Sequence, residues 1–81
     1  MTETHGSGGL PVVFMVDDDD ALRRAVAQAV RGRFDFVGAA SVAEASEVAE
    51  RHPGPIDVVL MDIYLPDGWG SLAAQRIREA R

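Results

Sequence analysis

The stretch Ile56-Asp57-Val58-Val59-Leu60-Met61-Asp62-Ile63-Tyr64-Leu65-Pro66-Asp67-Gly68-Trp69-Gly70 decides the fold. Val58 to Met61 is a short, unbroken apolar run, which suits a strand buried on both faces of a sheet. Asp62 follows at once, and then Pro66, Gly68 and Gly70 stop the strand and open a loop. Asp62 is therefore expected where a core strand emerges at its carboxyl end, the end at which open parallel sheets bind ligands. A charge at that lip is costly to desolvate and asks for a functional account.

Toward the amino end a second apolar run, Val12 to Val16, reads as another central strand, with Pro11 tolerated at its start. It closes on four aspartates, Asp17 to Asp20. A helical pattern follows from Ala21 to Arg31, with Leu22, Ala25, Val26, Ala29 and Val30 on one face. The aspartates also suit the amino end of that helix, with Asp19 or Asp20 as its N-cap; Gly32 is its stop. Phe34 to Gly38 is a weaker strand, in which Phe34 and Phe36 alternate with Asp35 as at a sheet edge. Ser41 and Glu44 form a capping box for a helix to about His52, with Val42, Ala45, Val48 and Ala49 inward, ended by Pro53-Gly54-Pro55. His52 there is expected only to favour the helix dipole. A third helix, about Ser71 to Ala80, carries a thin stripe of Ala73, Ile77 and Ala80, with Leu72 beside it.

Alternating strands and helices with short connections demand parallel pairing through crossovers. The two richest apolar runs are the inner neighbours, so the expected strand order is 2-1-3, with a crevice at the carboxyl end of strand one. The fold class is α/β, a partial doubly wound parallel sheet.

The totals agree with one small domain. Eighty-one residues with nearly half apolar sustain a single core. A net charge of -5 argues against direct nucleic-acid contact and favours a cation. With no cysteine there is neither a disulfide nor a thiolate metal site. No apolar stretch is long enough to span a bilayer, and Met1 to Gly9 has no secretory signal pattern, so the expectation is a cytoplasmic protein without membrane contact. Residues 1–10 are expected to be a disordered tail, with His5 solvated, and residues 11–81 the domain. All eight basic residues are arginines, so no mechanism that needs a lysine is complete within this chain.

In the 2-1-3 order, Asp17 and Asp18 at the end of strand one stand beside Asp62 at the end of strand three, on strands about 5 Å apart. Three like charges at that range repel and call for a hard divalent cation with oxygen ligands. Mg2+ fits, since it takes few protein carboxylates, keeps several waters and leaves room for a phosphoryl oxygen.

The pattern of apolar strand, acidic pair, helix, strand, helix and apolar strand ending in aspartate, with Leu-Pro and Gly soon after, resembles a bacterial response-regulator receiver domain. Here it reads Val13-Phe14-Met15-Val16-Asp17-Asp18-Asp19 and then Leu60-Met61-Asp62-Ile63-Tyr64-Leu65-Pro66-Asp67-Gly68-Trp69-Gly70. The resemblance covers about Val12 to Arg81 and implies a flavodoxin-like receiver fold, here truncated after the third helix and lacking the fourth and fifth strands. It implies that Asp62 is the phosphoacceptor, that Asp18 binds Mg2+ directly, that Asp17 does so through water or as support, and that Tyr64 lends its backbone carbonyl. The implied reaction is phosphoryl transfer from a sensor histidine kinase to Asp62. The Ser or Thr and the Lys that end the family's fourth and fifth strands have no counterpart in this chain. Asp20, where the family often has proline, and Ser71 and Ala74 in the third helix are smaller departures. Trp69 is expected to be a partly exposed residue of the site loop.

Two other readings compete. One is an unphosphorylated interaction module that pairs with itself or with another receiver through the far edge of strand three, an edge expected to be open and prone to association. The other is a phosphatase with a D-x-D nucleophile, Asp17 with Asp19. The leading expectation is a phosphoacceptor module and not an enzyme.

Overall fold

In a computed structural model of the chain, residues 9–81 are described. The segments fall in the order β1 (Val12–Val16), α1 (Asp20–Ala29), β2 (Asp35–Ala39), α2 (Val42–Arg51), β3 (Val58–Met61), β4 (Tyr64–Leu65), β5 (Gly68–Trp69) and α3 (Gly70–Ala80). The expected tail at 1–10, with His5, lies almost wholly outside the described residues; Gly9 and Leu10, at its inner end, are half-buried.

The three long strands form one parallel sheet in the order β2-β1-β3. The central strand, β1, pairs Val12 with Asp35 through Val16 with Ala39 on one side, and Val13 with Val58 through Val16 with Met61 on the other. All five of its residues are buried, as a continuous apolar run between two neighbours requires.

Side chains alternate across a strand. Phe14 and Val16 enter a core with Ala39 of β2, Val42, Ala45 and Ala49 of α2, Ala73 and Ile77 of α3, and Leu65. The alanines let two helices approach closely on this face. The opposite face carries Val13 and Met15, and α1 lies over it. Arg23 of α1 passes within 3.4 Å of the position a Cβ on Gly38 would take, and Gly38 is in register with Met15.

Several expectations need correction. Strand three is not buried on both faces: Val58, Val59 and Leu60 are each 40% exposed. The run is apolar enough for a central strand, but β3 stands at the edge of the described sheet. On α1, Leu22, Ala25 and Ala29 are exposed, whereas Arg23, Val26, Ala27 and Val30 are half-buried. The helix is rotated so that the Arg23 stem and two valines cover the sheet, a use of a long charged side chain that a hydrophobicity pattern does not register. The helix also ends earlier than Arg31, with Val30 as C-cap, and Gly32 takes φ +83 just beyond it. Strand two is shifted by one residue, and Ala80 is exposed instead of inward. The loop after Asp62 is partly ordered as a small hairpin, β4 paired antiparallel with β5, turning at Pro66-Asp67.

The capping box is half as expected. Ser41 Oγ accepts from the Glu44 amide at 3.1 Å, but the Glu44 carboxylate accepts from Ala40 N–H at 2.6 Å, one residue before the cap. At α1 the N-cap is Asp19, whose carboxylate accepts from the Leu22 amide at 3.0 Å.

Candidate functional site

The ladder runs one residue past β1 on both sides. The Asp17 amide donates to the Ala39 carbonyl at 3.0 Å, and the Asp62 amide to the Val16 carbonyl at 2.9 Å. These bonds set Asp17 and Asp62 level with each other at the carboxyl end of the sheet. Asp18 follows Asp17 at the same rim. One carboxylate oxygen from each of Asp17, Asp18 and Asp62 lies within 4.8 Å of the other two. The convergence expected from the 2-1-3 order is what the structure has.

Asp17 and Asp62 are each held locally. The Asp17 carboxylate accepts from the Asp19 amide at 2.9 Å, an Asx turn that leads into the α1 cap. Its carbonyl accepts from Arg23 Nη1 at 2.6 Å, while Arg23 Nη2 meets the Asp20 carboxylate at 2.5 Å. Asp62 Oδ1 accepts from the following amide, Ile63 N–H, at 2.8 Å. Asp17 and Asp62 are half-buried and Asp18 is exposed. Three anionic oxygens of this hardness, two of them part-screened from water, fit a hard cation whose remaining ligands are waters or an incoming oxyanion.

Beside Asp62 lies an open cleft of about 230 Å3 lined by Met61, Asp62, Ile63, Trp69, Gly70, Ser71 and Ala74. Trp69 is 58% exposed and its ring lies 4.9 Å from that of Tyr64 at an interplanar angle of 46°. With Ile63, these rings form an apolar rim next to the carboxylates. Tyr64 stands two residues beyond Asp62, at the start of β4.

Three residues that tie the loop after β3 and the ends of α2 into the fold had no such role assigned from the sequence. Gly70 sits so close to the strand end that a Cβ there would collide with the Asp62 carbonyl oxygen; its amide donates to the Ile63 carbonyl at 2.8 Å. The Asp67 carboxylate accepts from Val42 N–H at 2.7 Å and from Ala43 N–H at 2.9 Å, capping α2 from 25 residues away. The hydrogen bonds from Ala43 and then Val42 hold the Asp67 carboxyl below the ordinary aspartate range. At the other end of α2, Arg81 donates to the carbonyls of Ala49 at 3.1 Å, His52 at 2.7 Å and Gly54. Local pattern reading reaches three or four residues, so it misses caps supplied from across the fold. Gly70 had a signal in its glycine identity at a strand-to-helix junction.

The sequence model for the response regulator receiver domain matches residues 13–81. Among curated proteins, the chain is 32% identical over 72 residues to the sensor kinase CckA of Brucella abortus (strain 2308). That alignment takes in 88% of this chain and 8% of the kinase. Among solved structures it superposes on a signal receiver domain from Vibrio parahaemolyticus with a TM-score of 0.73 at 24% identity, covering 86% of this chain and 53% of the other. The chain thus spans about half of the solved receiver and a small part of the kinase. Among the described residues, no helix is long and apolar enough to cross a membrane. Sheet order, acidic rim and family match agree, and the chain belongs to the response regulator receiver domain family of two-component signalling.

Proposed function

We propose that the chain accepts a phosphoryl group on Asp62 from a sensor histidine kinase, with Mg2+ held by Asp17, Asp18 and Asp62 and by the Tyr64 carbonyl. The observation that supports this most directly is the meeting of three carboxylate oxygens within 4.8 Å at the end of adjacent strands. Bound Mg2+ supplies positive charge that offsets the repulsion among these oxygens and the negative charge of the arriving phosphoryl group. The chain's residues do the rest. Ile63 N–H orients the Asp62 carboxylate through one of its oxygens. The Asx turn and Arg23 hold Asp17 from behind. The phosphorus–nitrogen bond of the donor breaks as the Asp62 oxygen–phosphorus bond forms. The product is an aspartyl phosphate, and the chain acts as acceptor and not as a turnover enzyme.

Labelling with acetyl phosphate and Mg2+, read by intact mass, tests the proposal. Wild type gains one phosphoryl group and Asp62→Asn gains none. Labelling that survives Asp62→Asn but not Asp17→Asn supports the phosphatase-like nucleophile instead.

The exposed edge of β3 favours a second reading. Val58, Val59 and Leu60 present apolar side chains on a strand whose outer side pairs with no strand among the described residues. In this reading the chain is an interaction module that pairs with a second copy or with another receiver. Failure to label Asp62 under conditions that label a complete receiver decides for it.

A further inference from the structure

We propose that Asp67 is a positioning residue for the acidic site: it pins the β4–β5 hairpin to the amino end of α2 and so holds Asp62 against Asp17 and Asp18. The inference rests on the reading of that cluster as a Mg2+ and phosphoryl site, and adds to it a residue outside the cluster.

The chain of contacts is continuous. Asp62 ends β3, and eight residues later Gly70 returns to touch it, its backbone against the Asp62 carbonyl and its amide on the Ile63 carbonyl at 2.8 Å. The segment between is the hairpin, with Tyr64 in register with Trp69 and Leu65 with Gly68. Two attachments hold it to the body of the fold. Leu65 is buried in the core beside α2 and α3, and at the tip each oxygen of Asp67 accepts a hydrogen bond from a backbone amide of α2. Those two amides have no acceptor within their own helix, so the tip is fixed by bonds the helix requires. Charge-assisted bonds to backbone amides are the stronger kind, and a carboxylate at a helix amino end also meets the favourable pole of its dipole.

Capping alone does not explain the arrangement. Ser41 already caps α2 locally through Glu44 N–H. Asp67 adds bonds to Val42 and Ala43 and spends them on a segment whose other end abuts Asp62. Loosening the tip frees the hairpin, then Gly70, then the backbone that sets the Asp62 side chain.

Ser41 therefore provides the control, since its side chain caps the same helix through Glu44 N–H and not through the amides that Asp67 takes. Mg2+ affinity is measured by calorimetric titration for wild type, Asp67→Ala, Asp67→Asn and Ser41→Ala, and exchange of the Gly70 amide by NMR. Asp67→Ala is expected to weaken Mg2+ about tenfold, the loss typical of residues that orient metal ligands, and to speed Gly70 exchange. Asp67→Asn, whose one carbonyl oxygen serves one amide, falls between Asp67→Ala and wild type. Ser41→Ala stays within about twofold of wild type in Mg2+ affinity and leaves Gly70 exchange unchanged.

The proposal is overturned if Ser41→Ala weakens Mg2+ as much as Asp67→Ala does, or if Asp67→Ala leaves Gly70 exchange unchanged. Should Asp67→Ala fail to fold, the same comparison is decided by Asp67→Asn against Ser41→Ala. A wild-type chain that binds no Mg2+ overturns the phosphoacceptor reading, and Gly70 exchange then decides the clamp by itself.

Discussion

Gly70 and Asp62 are in backbone contact, with no room between them for a side chain. The Gly70→Ala substitution must therefore push the start of α3 away from the end of β3. We expect a loss of about 3 kcal/mol, at the upper end of overpacking effects, measured by urea denaturation. Gly32→Ala is the comparison. Gly32 has φ +83 and open space around the added methyl group, so it costs only the left-handed strain of about 1–2 kcal/mol. The first substitution also weakens Mg2+ binding, and the second leaves it intact.

Adding Mg2+ should raise the melting temperature of the wild type, because a ligand that binds only the folded form stabilises it, by about 2.7 kcal/mol at a hundred times its dissociation constant. Asp62→Asn should melt higher than wild type without metal, since it removes one of three facing charges, and should respond little to Mg2+. Thermal melts with and without Mg2+ check both. Unchanged melting in all four conditions would show that the carboxylates do not interact.

Acid should act partly through Asp67. Its folded-state carboxyl lies below the ordinary value because Ala43 and Val42 N–H groups bind the ionised form. A depressed carboxyl contributes stability that is present above the unfolded-state value and lost as pH falls through the folded one. The melting-temperature gap between wild type and Asp67→Asn is therefore widest near neutrality and narrows as pH drops below the ordinary aspartate range. Melts across that range test the sign.

The outer edge of β3 should drive association at high concentration, as uncovered apolar edges do. Light scattering of the wild type is expected to rise with concentration. Val58→Lys, which places a charge on a side chain already 40% exposed, should suppress the rise without loss of Mg2+ binding. A wild type that stays monomeric at high concentration contradicts this expectation.

Much of the fold was legible because β1 and β3 are written as continuous apolar runs and each ends in aspartate. Two such runs joined by helices leave few topologies, and 2-1-3 brings Asp17, Asp18 and Asp62 together. The facing of α1 was not legible. Helical periodicity selects the stripe of Leu22, Ala25, Val26, Ala29 and Val30, of which only the two valines are half-buried, and the sheet is covered in part by Arg23, whose guanidinium is taken up by Asp17 and Asp20. Asp67 and Arg81 were missed for another reason. Each looks locally like a solvated charge, and its partners lie 24 to 32 residues away in sequence.

Those two residues give α2 an electrical polarity lock. An acid grips its positive pole and a base its negative pole, and chain direction fixes which pole is which. Trading the charges, Asp67→Arg with Arg81→Asp, would conserve net charge and yet oppose the helix at both ends. A charge-conserving double exchange is thus not neutral here, and concentrated salt, by screening both grips together, should slacken this one helix before it disturbs the apolar core beneath.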